Sequence, residues 1–181
     1  MNYYGAAQIA ASFRTVRKNT IQIAEEIPAD KYGFTPAEGT RSIAGALAHI
    51  AIFPKFQMSL HGGEARSNFD GFDFMSVLKS LGEQKATERT PAQLVELLKT
   101  EGEAFATFLD GLSEDFLAQP FGMPPGSEPT TKSRLEMLLS VKEHEMHHRG
   151  QLMLAERLIA LVPHLTRARL EFEAQAKASS T

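Results

Sequence analysis

The segment KEHEMHHRGQ, residues 142–151, gathers three of the chain's six histidines. Residues four apart on a helix share a face, so His144 and His148 can offer two imidazoles to one ion. Imidazole pairs of this kind suit Zn, Ni, Fe(II) or Mn. His147 lies about 60° to one side of that direction. A His144–His147 pair is also workable, but it would point away from the apolar stripe Met137, Val141, Gln151 and Ala155, so His144 with His148 is preferred. A third imidazole comes from His49, which the wheel places on a buried face with Ser42, Ala46, Phe53, Phe56 and Leu60. Three neutral nitrogens leave coordination positions open, which is the layout of a catalytic metal site.

Competing uses of the same residues point elsewhere. HEMHH also satisfies H-E-x-x-H, the zinc-protease signature in which Glu145 would be the general base. The metzincin continuation fails, because Gln151 stands where Gly is needed. A downstream Glu171 or Glu173 lies beyond Pro163, and no upstream strand is expected to bind a peptide. Glu143 and Glu145 are read instead as solvated, or as partners that orient an imidazole. Glu101 interrupts the apolar stripe Leu94, Leu98, Phe105, Phe108 and Leu112. It must be paired, protonated or near a metal, since a bare buried carboxylate costs several kcal/mol. Its candidate roles are a fourth ligand or proton acceptor, or an ion pair with Arg14, Arg17 or Lys18. Gln151, on the inward stripe, is placed to hydrogen-bond a ligand or a metal-held water. Arg149 points elsewhere, toward an oligomer contact. Gly150 is expected to permit close approach of a neighbouring helix. His61 and His164 are read as surface residues, and Tyr3, Tyr4 and Tyr32 carry no spacing signal.

Four helical segments must position these groups. The first runs from about Tyr3 to Ile27 on Ile9, Phe13, Val16, Thr20 and Ile23, and stops at Pro28. The second follows Gly39, with Thr40 or Ser42 as N-cap, and continues to about Leu60. Pro54 removes a hydrogen bond to the Ile50 carbonyl and should bend this helix one turn after His49. The third opens with Thr90 as N-cap, Pro91 at the first helical position and Gln93 closing a capping box, and runs to about Phe116. The fourth opens at Thr130 or Thr131 and reaches about Leu161. Residues 61–90 form a long connection in which FDFMSVLKSL could make a short helix. Residues 121–129, FGMPPGSEP, form a second loop. Substrate choice is expected to reside in these two loops. The tail from 164 is amphipathic for two or three turns and frays in KASST. No strand pattern is evident, and an all-α four-helix bundle, one domain over 1–181 with a core of about 3–162, is the simplest architecture.

Composition narrows the chemistry. The chain has 181 residues, 43% hydrophobic and 23% charged, with no Cys and no Trp. Such a length buries roughly 70% of the unfolded surface, so a bound metal would serve chemistry rather than folding. Zero Cys excludes thiolate nucleophiles, disulfide frameworks and Cys-based zinc or iron–sulfur sites. The net charge of −3, with both signs interspersed, argues against nucleic-acid binding. No basic leader and no run of about 18 uncharged apolar residues is found, so a cytoplasmic protein without a membrane span is expected.

SIAGALAHIAIF around His49, with HEMHHRGQL about ninety-five residues later, resembles the DinB/YfiT-like family. The resemblance covers nearly the whole chain to about residue 162. It implies a four-helix bundle, a divalent ion held by His49, His144 and His148, and a homodimer. The Trp common before the second-helix His is absent here, where Arg41-Ser42-Ile43 stands. Relatives include S-transferases and isomerases that use low-molecular-weight thiols, and some hydrolases. The expectation is therefore a metal-dependent S-transferase acting with a small thiol, Glu101 or Gln151 handling a proton or orienting the substrate. A hydrolase of small amides or esters and a non-catalytic metal-binding dimer are the alternatives.

Overall fold

The computed structural model describes residues 4–63 and 66–179; the expected helix start at Tyr3 and the last two residues of the tail lie outside them. Helix α1 spans Ala6–Glu26 and buries Ile9, Phe13, Val16, Thr20 and Ile23, the stripe read from the sequence. Ser42, not Thr40, caps the next helix, its Oγ accepting from the Gly45 N–H at 3.1 Å. Pro54 divides the expected second helix into α2, Ile43–Ile52, and α3, Pro54–His61. This stretch has a mean hydropathy of 1.2 and is 61% buried, so its apolarity serves the bundle core. Helix α4 spans Phe74–Ala86, longer than the short helix expected there. Helix α5, Pro91–Asp110, begins with Thr90, Pro91 and Gln93 in the expected capping box. It stops at Gly111, short of Phe116, and Ser113 caps a separate turn, α6, Glu114–Ala118.

Two elements depart from the expected all-helical pattern. Strands β1, Pro120–Gly122, and β2, Thr131–Ser133, pair antiparallel with Phe121 opposite Lys132. Three residues are too few to write an alternating pattern, which is why the sequence hid them. Because β2 consumes Thr131–Ser133, helix α7 starts later than expected, at Arg134, capped by Ser133, and runs to Leu158. Helix α8, His164–Ala178, extends the tail further than two or three turns.

The core shows how the helices run. One apolar cluster holds Ile23 and Ile27, Leu47 and Ile50, Leu94 and Leu98, and Leu152 and Ala155. A second holds Ile9 and Phe13, Phe105 and Leu109, and Leu138 and Val141, with Phe53 and Met58 against it. Helices α1 and α7 therefore pass from the second cluster to the first, whereas α2–α3 and α5 pass from the first to the second. The consecutive segments α2–α3 and α5 are parallel, which requires a connection returning along the bundle. Helix α4, packed on α2 and α3, supplies it.

Between the two clusters lies a polar layer. Arg17 and Glu145 are both buried, and Arg17 donates from Nε and Nη2 to the Glu145 carboxylate at 2.9–3.0 Å. Its Nη1 donates to the Leu98 carbonyl at 2.8 Å and its Nη2 to the Ile50 carbonyl at 3.3 Å. The Ile50 carbonyl is the one that Pro54 leaves without a helical donor, so Arg17 repairs the break. Gly102 makes room for this: a Cβ there would stand 2.7 Å from Arg17 Cγ. Gly150, by contrast, is exposed and has nothing within 4 Å of such a Cβ, so no helix among the described residues approaches it.

His61 and His164 are buried, contrary to the surface reading. His61 accepts at Nδ1 from buried Arg134 at 2.8 Å and packs on Phe121, because the hairpin and the loop after α3 close over it. His164 meets Asn19 Oδ1 at 3.3 Å, because the first turn of α8 lies against α1, where Arg167 also pairs with Glu26. Near that junction Glu156 is fully buried with neither carboxylate oxygen hydrogen-bonded. Burial first, then Glu26, pushes its carboxyl up from 4.5 to about 7. Between those pH values the folded chain keeps a proton that the unfolded chain has released, so stability falls as pH rises through this window and stays lower above it. Glu156→Gln is therefore expected to stabilise the protein by about 2 kcal/mol at pH 8 and to change little at pH 4. Urea unfolding at the two pH values checks this, and an equal effect at both would contradict it.

Candidate metal centre

Helices α2 and α7 place the three predicted imidazoles against one another. His49 comes from the middle of α2, one residue before Ile50, whose carbonyl Arg17 holds. His144 and His148 flank Glu145 on α7, so the buried ion pair sets the rotation of the helix that carries them. His49 Nε2 lies 2.9 Å from His144 Nε2, and His148 Nε2 lies 3.1 Å from the same atom. One ligand atom from each residue falls within 4.8 Å of the others. Phe53, one turn after His49, stacks on the His144 ring with centroids 3.6 Å apart and planes 14° from parallel.

The imidazoles are held neutral. Burial, then Arg41, lowers His49 to about 3. Burial, then His148, lowers His144 to about 4. His148 is lowered as well, again chiefly by burial. Neutral imidazole is the form that ligates a metal. Ring nitrogens aimed at one another can share protons only pairwise, whereas one cation satisfies all three, so the donor set fits a divalent ion. The charges bearing most strongly on the three rings from outside the histidine cluster are cationic: Arg41 acts on all three and Lys85 on His49 and His144.

Gln151 bridges His148 and His147. Its Oε1 accepts from His148 Nδ1 at 2.7 Å, and its Nε2 donates to His147 Nε2 at 3.1 Å. This bond fixes the His148 tautomer with the Nε2 lone pair facing the centre, and it ties exposed His147 to the rim. Gln151 is itself exposed, at the edge of the inward stripe. It lines a cleft of about 450 Å³ with Arg41, Ile43, Ala46, Leu152 and Ala155.

The carboxylates fall elsewhere. Glu101 is bound to Lys55 at 2.8 Å, not to Arg14, Arg17 or Lys18. Gly102, not Glu101, occupies the centre of the buried α5 face, which leaves Glu101 at its margin. Glu145 is 2% exposed and gripped by Arg17, so it neither meets solvent nor orients an imidazole, and its service as a protease base is ruled out. Sequence reasoning overlooked Arg17 as its partner, although Arg17 stands four residues after Phe13 inside the α1 stripe. It also overlooked Arg41 and Lys85, whose exposed or loop-flanking positions carry no periodic signal.

A model of the DinB superfamily matches residues 12–152. The chain is 30% identical over 148 residues to Bacillus subtilis YjoA, covering 80% of this chain and 84% of that protein. The crystal structure of the B. subtilis DinB-like protein YjoA aligns with a TM-score of 0.61 at 26% identity, over 84% of this chain and 92% of that one. B. subtilis YfiT, described as a probable metal-dependent hydrolase with an unusual four-helix bundle topology, aligns with a TM-score of 0.63 at 15% identity, over 86% and 88% of the two chains.

Losing Gln151 frees the His148 ring without removing a ligand. Gln151→Ala is expected to weaken divalent-metal affinity about 10- to 100-fold while leaving one ion per chain at saturation. His144→Ala and His148→Ala should abolish stoichiometric binding, and His147→Ala should not. Competition against a chromophoric chelator measures all four, and retention of metal by His148→Ala with loss in His147→Ala would reverse the assignment.

Proposed function

Because this chain belongs to the DinB superfamily, we propose that it is a divalent-metal-dependent enzyme that activates a low-molecular-weight thiol for transfer to an electrophilic small molecule. The observation that carries this reading is a convergent set of three neutral imidazoles beside an apolar cleft, with the cations Arg41 and Lys85 acting most strongly on the rings from outside the cluster. A divalent ion held by His49, His144 and His148 would supply a Lewis acid that draws the pKa of an admitted thiol or water toward neutrality.

The chain's own residues complete the site. Gln151 holds His148 in one tautomer and acts as a positioning residue. Phe53 covers one face of His144 and keeps water from it. Arg41 and Lys85 favour the anionic form of whatever enters. A thiol near its own pKa needs no carboxylate base to lose its proton, and Glu101, occupied by Lys55, offers none. Since the chain has no Cys, the thiol arrives with the substrate. The hydrolytic reading uses the same centre with water, and the description of YfiT as a probable metal-dependent hydrolase favours it as the alternative.

Metal-loaded protein, prepared separately with Zn, Ni, Fe(II) and Mn, is to be assayed with monochlorobimane and a panel of small thiols. The expected result is metal-dependent conjugation with one thiol, lost in His144→Ala. Turnover of simple esters without thiol conjugation would transfer the function to hydrolysis, and metal binding without either activity would leave a binding protein.

The homodimer belongs to the same proposal. Met146, Leu154 and Leu158 are 44%, 56% and 54% exposed and follow one another around α7 with Gly150 at four- and eight-residue steps. A row of this kind, with glycine in its middle, suits close approach of a second α7. Light scattering on the purified protein is expected to give a dimer, and Leu154→Asp a monomer; a monomeric wild type would refute it.

A further inference from the structure

Two cations stand beside the three histidines without a partner of their own. Arg41 lies just before the α2 cap and lines the 450 Å³ cleft that Gln151 also lines. Lys85, near the end of α4, lines an adjoining cleft of about 400 Å³, and Ser42 is shared by both. Neither makes an ion pair or hydrogen bond among the described residues. Glu88, at the edge of the second cleft, pairs with neither, and Arg89 is occupied by the carbonyls of Gln84 and Thr87 at 2.8–2.9 Å. Lys85 is half-buried and is held below its usual pKa by burial and then by Arg41, so the two charges repel each other. A fold that keeps two like charges close, one partly desolvated, gains when an anion sits between them.

Apart from Thr40, Ser42 and Gln151, the rest of the cleft is apolar. Ile43, Ala46, Leu152 and Ala155 form its floor, and its volume falls in the range of small-ligand sites. We infer that the molecule processed at this centre carries a carboxylate, bound by Arg41 with Lys85, joined to an apolar body that lies along Ile43, Ala46, Leu152 and Ala155. Guanidinium recognises carboxylate through paired, charge-assisted hydrogen bonds, and the cleft leads from Arg41 to Gln151, which touches His148. The inference rests on the proposed enzyme only for where the reacting end lies; carboxylate binding itself does not require the ion.

The test uses the metal-free full chain and isothermal titration with hexanoate, hexanamide and inorganic phosphate. Hexanoate is expected to bind about ten-fold or more tightly than hexanamide, and to lose about ten-fold in the Arg41→Gln, Lys85→Gln double variant. Arg41 is exposed, and unfolding midpoints of the variant should equal or exceed wild type, since the substitutions remove a repulsion. Equal binding of hexanamide, unchanged hexanoate binding in the double variant, preference for phosphate, or no binding of hexanoate at millimolar concentration would each overturn the carboxylate assignment. Metal titration of separate aliquots of the same protein separates the two ideas, since a failed triad abolishes stoichiometric metal uptake and leaves hexanoate binding intact.

Discussion

The bundle is organised by the buried contact between Arg17 and Glu145. Two charges at 3% and 2% exposure would be prohibitive if either stood alone, and breaking such a pair typically costs about 3–5 kcal/mol. Here the guanidinium meets the carboxylate twice and spends two further donors on the Leu98 and Ile50 carbonyls. One side chain thus ties α1 to α2, α5 and α7. Directionality matters as much as strength, because hydrogen bonds to a carboxylate fix how α7 is turned, whereas apolar packing tolerates sliding.

The histidine cluster inherits its geometry from that layer. Glu145 points to Arg17, so its neighbours His144 and His148 must point to one side, toward α2. Ile50 presents its carbonyl to Arg17, so His49, one residue earlier, is fixed against them. The break at Pro54 is part of the same arrangement: it frees the Ile50 carbonyl for Arg17 and begins a new helix whose first turn follows Phe53, the residue that stacks on His144. A motif that reads as a protease signature therefore divides its labour, its glutamate holding the fold and its first and last histidines meeting His49.

The long segment between His61 and Thr90 has a topological cause. Parallel neighbours α2–α3 and α5 need a chain that returns along the bundle, and α4 does this while bringing Lys85 beside the histidines. At the end of α3, His61 is buried against Phe121 of the hairpin and next to Arg134 of α7. A reading that gives loops only polar surface has no means to anticipate a buried imidazole there, because its neighbours are distant in the chain.

Local rules in the amino-acid sequence were enough for much of this protein. The α1 stripe, the Thr90–Pro91–Gln93 helix start, the kink at Pro54 and the choice of His49, His144 and His148 all follow from side-chain periodicity and backbone chemistry within a few residues. What only the tertiary structure decided was which partner each polar group meets: Glu145 with Arg17, Glu101 with Lys55, and Gln151 with His147 and His148. The physical reason is that a helix face is set by a repeat of 3.6 residues, but a buried charge chooses its partner across the bundle, over separations as large as the 128 residues between Arg17 and Glu145.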